Sequence, residues 1–97
     1  MKVRYSPRAL AQLGAILEYF ESDNPPAATA FLKRFERLVQ LIETFPLTGR
    51  PTDKPEVRIV GIPQYRYVIF YRVLVDQDEV RILRIRHTSR RPTKDYR

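Results

Sequence analysis

Residues 65–91 read YRYVIFYRVLVDQDEVRILRIRHTSRR, and the fold turns on this stretch. Two runs rich in Val, Ile, Phe and Tyr flank Asp76-Gln77-Asp78, the pattern of two strands joined by a tight connection. The spacing predicts antiparallel neighbours over Tyr65–Val75 and Glu79–His87. On the first, Tyr65, Tyr67, Ile69, Tyr71, Val73 and Val75 share one face, and Arg66, Val68, Phe70, Arg72 and Leu74 share the other. Apolar residues on both faces suit a central strand. Packing on a pleated surface accounts for the aliphatic and aromatic residues, but not for Arg66, Arg72, Arg81, Arg84, Arg86, Arg90 and Arg91. Those cations need a partner or a solvated face.

Working upstream, Val57–Ile62 reads as a third strand, preceded by turn chemistry in Pro46-Leu47-Thr48-Gly49-Arg50-Pro51 and Asp53-Lys54-Pro55. Lys2–Tyr5 alternates basic and apolar residues and forms a short strand. Ser6-Pro7 then supplies an N-cap and a proline at the first helical position. Leu10, Leu13, Leu17 and Phe20 recur at helical spacing, which predicts a helix to about Asp23. Asn24-Pro25-Pro26 breaks it. A second helix is expected from about Pro26 to Phe45, with the stripe Ala28, Phe31, Phe35, Leu38, Ile42, Phe45 widened by Leu32 and Val39. A break this short makes an antiparallel helical hairpin. The expected fold is α+β: a short N-terminal strand, the helical hairpin, then a three-stranded antiparallel sheet with the hairpin on one face and the other left open.

The 97 residues suit one domain spanning 1–97 with a modest core. Lys and Arg number 18 against 11 Asp and Glu, a net charge of +7. Residues 1–48 hold six basic and five acidic groups, and residues 49–97 hold twelve and six. The positive field therefore belongs to the C-terminal half, where it attracts nucleic acid, an acidic protein segment or an anionic surface. The chain has no cysteine, which removes disulfides and thiolate metal sites. The start, MKVRYSPRAL, lacks an apolar leader core, and no apolar run approaches the roughly 18 residues of a membrane span. A cytoplasmic protein with no membrane partner is the expectation.

Conventional active-site chemistry finds little material. One histidine and scattered carboxylates make no metal cluster, the three glycines form no phosphate-cradling loop, and no serine sits in a recognisable nucleophile elbow. No cofactor is expected. His87 has two readings: a general base, the commonest catalytic role of an imidazole, or, more commonly at a strand end, a local hydrogen-bonding group. Glu56, just after Pro55, reads as a base or as a solvated strand-start residue. Tyr65, Tyr67 and Tyr71 stack on bases or form one packed stripe against the helices. Arg84, Arg86, Arg90 and Arg91 grip phosphates without sequence discrimination, or form a solvated edge.

A Pro-x-x-Gly turn (Pro46 to Gly49), a Tyr-x-x-x-Tyr strand (Tyr67 to Tyr71) and a His-x-x-Arg ending (His87 to Arg90), in the order strand, helical hairpin, antiparallel strands, resemble the RelE/ParE superfamily of bacterial toxins over almost the whole chain. The resemblance implies a toxin held inactive in a hetero-oligomer with a co-expressed, ParD-like antitoxin. It also implies one of two targets: RelE-like members cut messenger RNA within the ribosome, whereas ParE-like members poison DNA gyrase and are not enzymes. The nuclease branch carries Tyr-Arg-x-x-Tyr on the middle strand, and its arginine would fall on position 68, which is Val68. Arg66 is displaced from it by about 7 Å at roughly 3.3 Å per residue, whereas phosphoryl-transfer donors need placement to a fraction of that. The basic residues of the preceding strand reduce to Arg58. Arg90 and Tyr96 keep the six-residue separation of the nuclease branch's late arginine and tyrosine. The reading is thus a ParE-like gyrase inhibitor, with Arg66, Arg72, Arg84, Arg86, Arg90 and Arg91 as contacts to target or antitoxin. Two alternatives stand beside it: a ribosome-dependent endoribonuclease using Arg58, His87, Arg90 and Tyr96, and a small basic nucleic-acid-binding module.

Overall fold

The computed structural model describes residues 1–88. Helix α1 (Pro7–Asp23) starts at Ser6, whose Oγ accepts a hydrogen bond from Ala9 N–H at 3.0 Å. That bond satisfies one of the amides a helix leaves open at its start. Asn24 serves both as C-cap of α1 and N-cap of helix α2 (Pro25–Thr44). With Pro25 and Pro26 barring continuation of the first helix, the chain reverses at once and the two helices form the expected hairpin. Helix α2 buries Ala28, Phe31, Phe35, Leu38, Val39 and Ile42. Phe45 lies just outside the helix and is 62% exposed, so the stripe ends one turn earlier than its sequence period suggests. Helix α1 is turned relative to the expected face. Ala9 and Ile16 are its buried residues, Leu13, Leu17 and Phe20 pack at the margin, and Leu10 is 55% exposed.

The sheet has five strands, not three. These are β1 (Lys2–Tyr5), β2 (Arg50–Pro51), β3 (Val57–Gly61), β4 (Tyr67–Leu74) and β5 (Glu79–His87), in the order β1-β5-β4-β3-β2. The N-terminal strand joins the sheet as a parallel partner of β5, Val3 opposite Val80 and Tyr5 opposite Ile82. Two residues of the turn region add the far edge against β3. Proline is tolerated there because an edge strand can leave one side unbonded. Strand β4 is central, as its two apolar faces require, although it is shorter than Tyr65–Val75. Val75 falls in a 3-10 turn at 70% exposure, and Asp78 closes that turn in the left-handed region, φ 52° and ψ 46°. Asp is among the non-glycine residues most tolerant of that conformation.

The helical hairpin packs on one sheet face. Tyr65 and Tyr67 meet the Phe31 ring edge-on, at centroid distances of 5.0 and 5.7 Å, and Ile69, Tyr71 and Val73 continue the same stripe in the main core. The tyrosines therefore form the packed stripe and are not a stacking platform. The opposite face carries a smaller apolar cluster of Val57, Ile59, Val68 and Phe70, with Leu83 against it, and among the described residues no helix lies over it. Among the described residues no helix is long and apolar enough to cross a membrane.

Candidate functional site

Register assigns each side chain of the open face. Arg72 lies opposite Val57 and Arg81, Phe70 opposite Ile59 and Arg84, and Val68 opposite Gly61 and Arg86. Directly paired residues point to the same side of a sheet, so Arg72, Arg81, Arg84 and Arg86 share the face away from the helical hairpin. Lys2 and Arg4 join them through their pairing with Glu79 and Arg81. A register break separates the pairs Phe70–Arg84 and Tyr71–Ile82. It leaves Leu83 as the extra residue of a β-bulge, and allows Leu83 and Arg84 both to serve the open face. The Arg84 guanidinium sits 4.4 Å from the Phe70 ring centroid, a cation–π contact that holds it over the apolar cluster.

One carboxylate is built into this cationic surface. Glu79 is 7% exposed; Oε2 accepts from Arg81 Nη2 at 2.7 Å and Nε at 2.9 Å, and Oε1 lies 3.4 Å from Arg4 Nε. The spacing of Glu79 and Arg81 along one strand face was legible in the sequence as a same-side pair. The third member, Arg4, reaches the cluster only because β1 pairs with β5.

The Pro46-x-x-Gly49 turn is held by the central strand. Tyr71, fully buried, accepts from Gly49 N–H at 2.8 Å and donates to the Pro46 carbonyl at 2.7 Å. Burial raises the Tyr71 pKa above its ordinary 10.0, opposed by the Gly49 hydrogen bond and the nearby Arg58 charge. A Cβ on Gly49 would stand 2.7 Å from the Tyr71 hydroxyl and 2.9 Å from the Ile59 carbonyl, so the glycine is required by close approach and not by its φ of −73°. Arg58 points to the same side as Tyr71, its pairing partner, and donates to the carbonyls of Gly49 at 2.7 Å and Leu47 at 3.4 Å. It buckles the same turn from outside.

The structure thus divides the candidate residues expected from sequence. Arg72, Arg84 and Arg86 lie together on the open face, with Arg66 exposed just before β4. Arg58 and His87 lie on the helix-bearing face. His87 is opposite Tyr67, its ring 4.9 Å from the Tyr67 ring and nearly perpendicular to it, beside a cavity of about 290 Å³ bounded by Ala15, Ile16 and Tyr19 of α1. Arg58 and His87 are thus on the face opposite to Arg72, Arg84 and Arg86. Glu56 is exposed with φ 68° in the loop before β3. Arg90, Arg91 and Tyr96 lie outside the described residues.

Sequence reasoning did not single out Ser6, Arg8 and Lys54, which join Phe70, Arg72 and Arg84 around a cavity of about 490 Å³ on the open face. Ser6 and Arg8 come from the β1–α1 junction and Lys54 from the loop before β3. No linear spacing connects them: the parallel placement of β1 beside β5 brings in Ser6 and Arg8, and the pairing of β3 with β4 brings in Lys54.

A family model described as the ParE toxin of type II toxin-antitoxin systems, parDE, matches residues 3–92. A Sinorhizobium fredii protein provisionally designated toxin Y4kP is 33% identical over 86 residues, covering 89% of this chain and 86% of the relative. Among solved structures, the chain is similar to one from the chromosomal ParDE toxin-antitoxin system of P. aeruginosa. There the TM-score is 0.66 at 26% identity, over 90% of this chain and 95% of that one. A chain of the intact E. coli RelBE toxin-antitoxin complex shares the fold, with TM-score 0.61 at 10% identity over 87% of this chain and 92% of that one.

Proposed function

Because the chain belongs to the ParE toxin family of type II toxin-antitoxin systems, we propose that it arrests growth by inhibiting DNA gyrase through a protein interface, and that a cognate ParD-like antitoxin relieves the inhibition by binding it. The observation that carries the choice of target is Val68. At the position where the nuclease branch would place an arginine, this chain has an aliphatic side chain only 6% exposed, packed with Val57, Ile59 and Phe70.

Arg58, the remaining cation of the preceding strand, supports the same reading, since it is engaged by two turn carbonyls on the other face. Loss of one well-placed transition-state donor costs about 10² to 10³ in rate, so a face without these donors is poorly equipped for phosphodiester cleavage. Gyrase inhibition needs no such centre. Purified full-length chain is expected to inhibit supercoiling and stabilise gyrase cleavage complexes, with translation still running early after expression without antitoxin. If gyrase is untouched while message on ribosomes is cut, the proposal is wrong and the endoribonuclease alternative replaces it. Co-purification with the product of an adjacent short reading frame tests the antitoxin; two non-interacting proteins on mixing would remove that part.

A further inference from the structure

Among the described residues, the cavity of about 490 Å³ on the open face is walled by four cations, Arg8, Lys54, Arg72 and Arg84, and one carboxylate, Asp53. Its floor is the edge of the apolar cluster at Phe70. Several of its parts are fixed in advance of any ligand. Ser6 Oγ donates to the Leu83 carbonyl at 2.8 Å, which ties the start of α1 to the bulge of β5. The loop carrying Lys54 is closed on itself, with Thr52 N–H donating to Val57 O at 3.1 Å, Val57 N–H to Lys54 O at 3.2 Å, and Lys54 N–H to Thr52 Oγ1 at 3.1 Å. Arg84 is held over Phe70. Arg72 Nε is buried without a hydrogen-bond partner among the described residues, and a buried donor of that kind is rare enough in folded proteins to require an explanation.

From these observations we infer that the groove binds phosphate groups, with a nucleic-acid strand as the source its shape favours. Guanidinium groups present planar, paired donors that match phosphate oxygens. The amino end of α1, a helix of 17 residues, adds its positive dipole end beside Ser6 and Arg8. A phosphate seated between Arg8, Arg72 and Lys54 would meet the Arg72 side chain, which lines the cavity. Size argues against an acidic helix as occupant. With its side chains a helix is about 10–12 Å wide and rises about 5.4 Å per turn, roughly 400–600 Å³ for each turn, so the cavity admits about one turn. The groove is also separate from the nuclease-like position. Val68 lies opposite Gly61 and Arg86, whereas the groove is bounded by Val57, Arg72 and Arg84, two to four residues further along the strands. The inference relies on the proposed toxin reading only for where the strand would be met, on DNA held by gyrase.

The test measures binding of the purified full-length chain to a labelled short duplex, a short single strand, ATP, inorganic pyrophosphate and an oligoglutamate peptide, without gyrase. Contact with about three phosphates predicts a slope of log K against log salt of about −2 to −3, a roughly 20- to 40-fold loss between 50 and 200 mM. The double variant Arg8→Glu with Lys54→Glu changes two exposed side chains. It should weaken binding at least tenfold and flatten the slope. The double variant Lys33→Glu with Arg37→Glu, equally charge-changing but on exposed positions of α2, should leave binding within about twofold, given the short range of screened charge. Loss on the first variant alone supports the groove: with the oligonucleotides, a nucleic-acid backbone is the source, and with ATP and pyrophosphate only, a free nucleotide is. Equal loss from both variants, binding of oligoglutamate alone, or no binding overturns it. Because gyrase is absent, a failure here leaves gyrase inhibition standing, and a failed supercoiling assay leaves the groove standing.

Discussion

Replacing Tyr71 with Phe removes one oxygen and should cost this small domain a large part of its stability. The hydroxyl serves Gly49 N–H at 2.8 Å and the Pro46 carbonyl at 2.7 Å, and both Tyr71 and Gly49 are buried. Without it, the Gly49 amide keeps its desolvation and loses its acceptor, a penalty of about 1–3 kcal/mol for a buried unsatisfied group, while the half-buried Pro46 carbonyl loses about 1 kcal/mol more. A total of roughly 2–4 kcal/mol lowers Tm by about 10–30 °C in a domain of this size. Urea unfolding of the full-length chain would read this as a lower midpoint at unchanged slope. The pH dependence provides an independent check. Burial raises the folded-state pKa of Tyr71 above 10.0, so the unfolded chain loses this proton first. The associated stability is fully present below pH 10 and is lost as pH rises from 10 through the folded value. Tyr5 shifts the same way, through burial and then the Glu36 charge, so the Phe variant should retain only the Tyr5 share of the alkaline decline. A Tyr71→Phe protein within about 0.5 kcal/mol of the parent, the range of an ordinary surface change, would refute the assignment of Tyr71 as the clamp of the turn.

Gly49→Ala should destabilise by about 1–3 kcal/mol, as overpacking does, because the new methyl meets a backbone carbonyl and the clamping hydroxyl below 3.0 Å; calorimetry of the variant checks it. Glu79→Ala should cost about 1–2 kcal/mol in denaturant unfolding, less than a fully buried pair since Arg4 and Arg81 can rehydrate, and the loss should appear below 0.5 kcal/mol in an Arg4→Ala, Arg81→Ala background. Arg58→Ala should reduce toxicity only in proportion to lost folded protein, about 1–2 kcal/mol from two carbonyl contacts; a fully folded, non-toxic Arg58→Ala would give this residue a direct role. Arg90→Ala should weaken growth arrest with stability unchanged within about 0.5 kcal/mol, read by paired toxicity and melting assays.

What could be read from the chain depended on whether the signal was periodic or pairwise. The alternation in β4 identified both the helix-bearing stripe from Tyr65 to Val73 and the arginine-bearing face, because a period of two is a property of the strand itself. Ser6-Pro7 and Asn24-Pro25-Pro26 fixed the helix boundaries for the same local reason. The rotation of α1 was not legible. Ala9 is fully buried while Leu10 is half exposed, and hydrophobicity alone ranks them the other way; only the close approach of the hairpin to β5 selects the smaller side chain. The fifth strand was missed because Arg50-Pro51 reads as a turn until β3 lies beside it. The split of His87 and Arg58 from the open-face arginines needed register, which a single strand does not carry.

That split has an energetic basis. The helix-bearing face is closed by aromatic packing around Phe31 and Phe35, and a cation there must find protein acceptors, as Arg58 does in two turn carbonyls. On the opposite face no helix of the described residues lies over the small cluster of Val57, Ile59, Val68 and Phe70, and long cationic side chains lie across it, the Arg84 guanidinium over the Phe70 ring. Arginine is the side chain best suited to both tasks, since its guanidinium is weakly hydrated and stacks on aromatic faces. Glu79 is one acid drawn into this face, bonded to Arg81 and Arg4 at its β1 edge. Arg72, Arg81, Arg84 and Arg86 thus stand on one face of the sheet, and a concentration of like charge of this kind raises the local potential for an anionic partner.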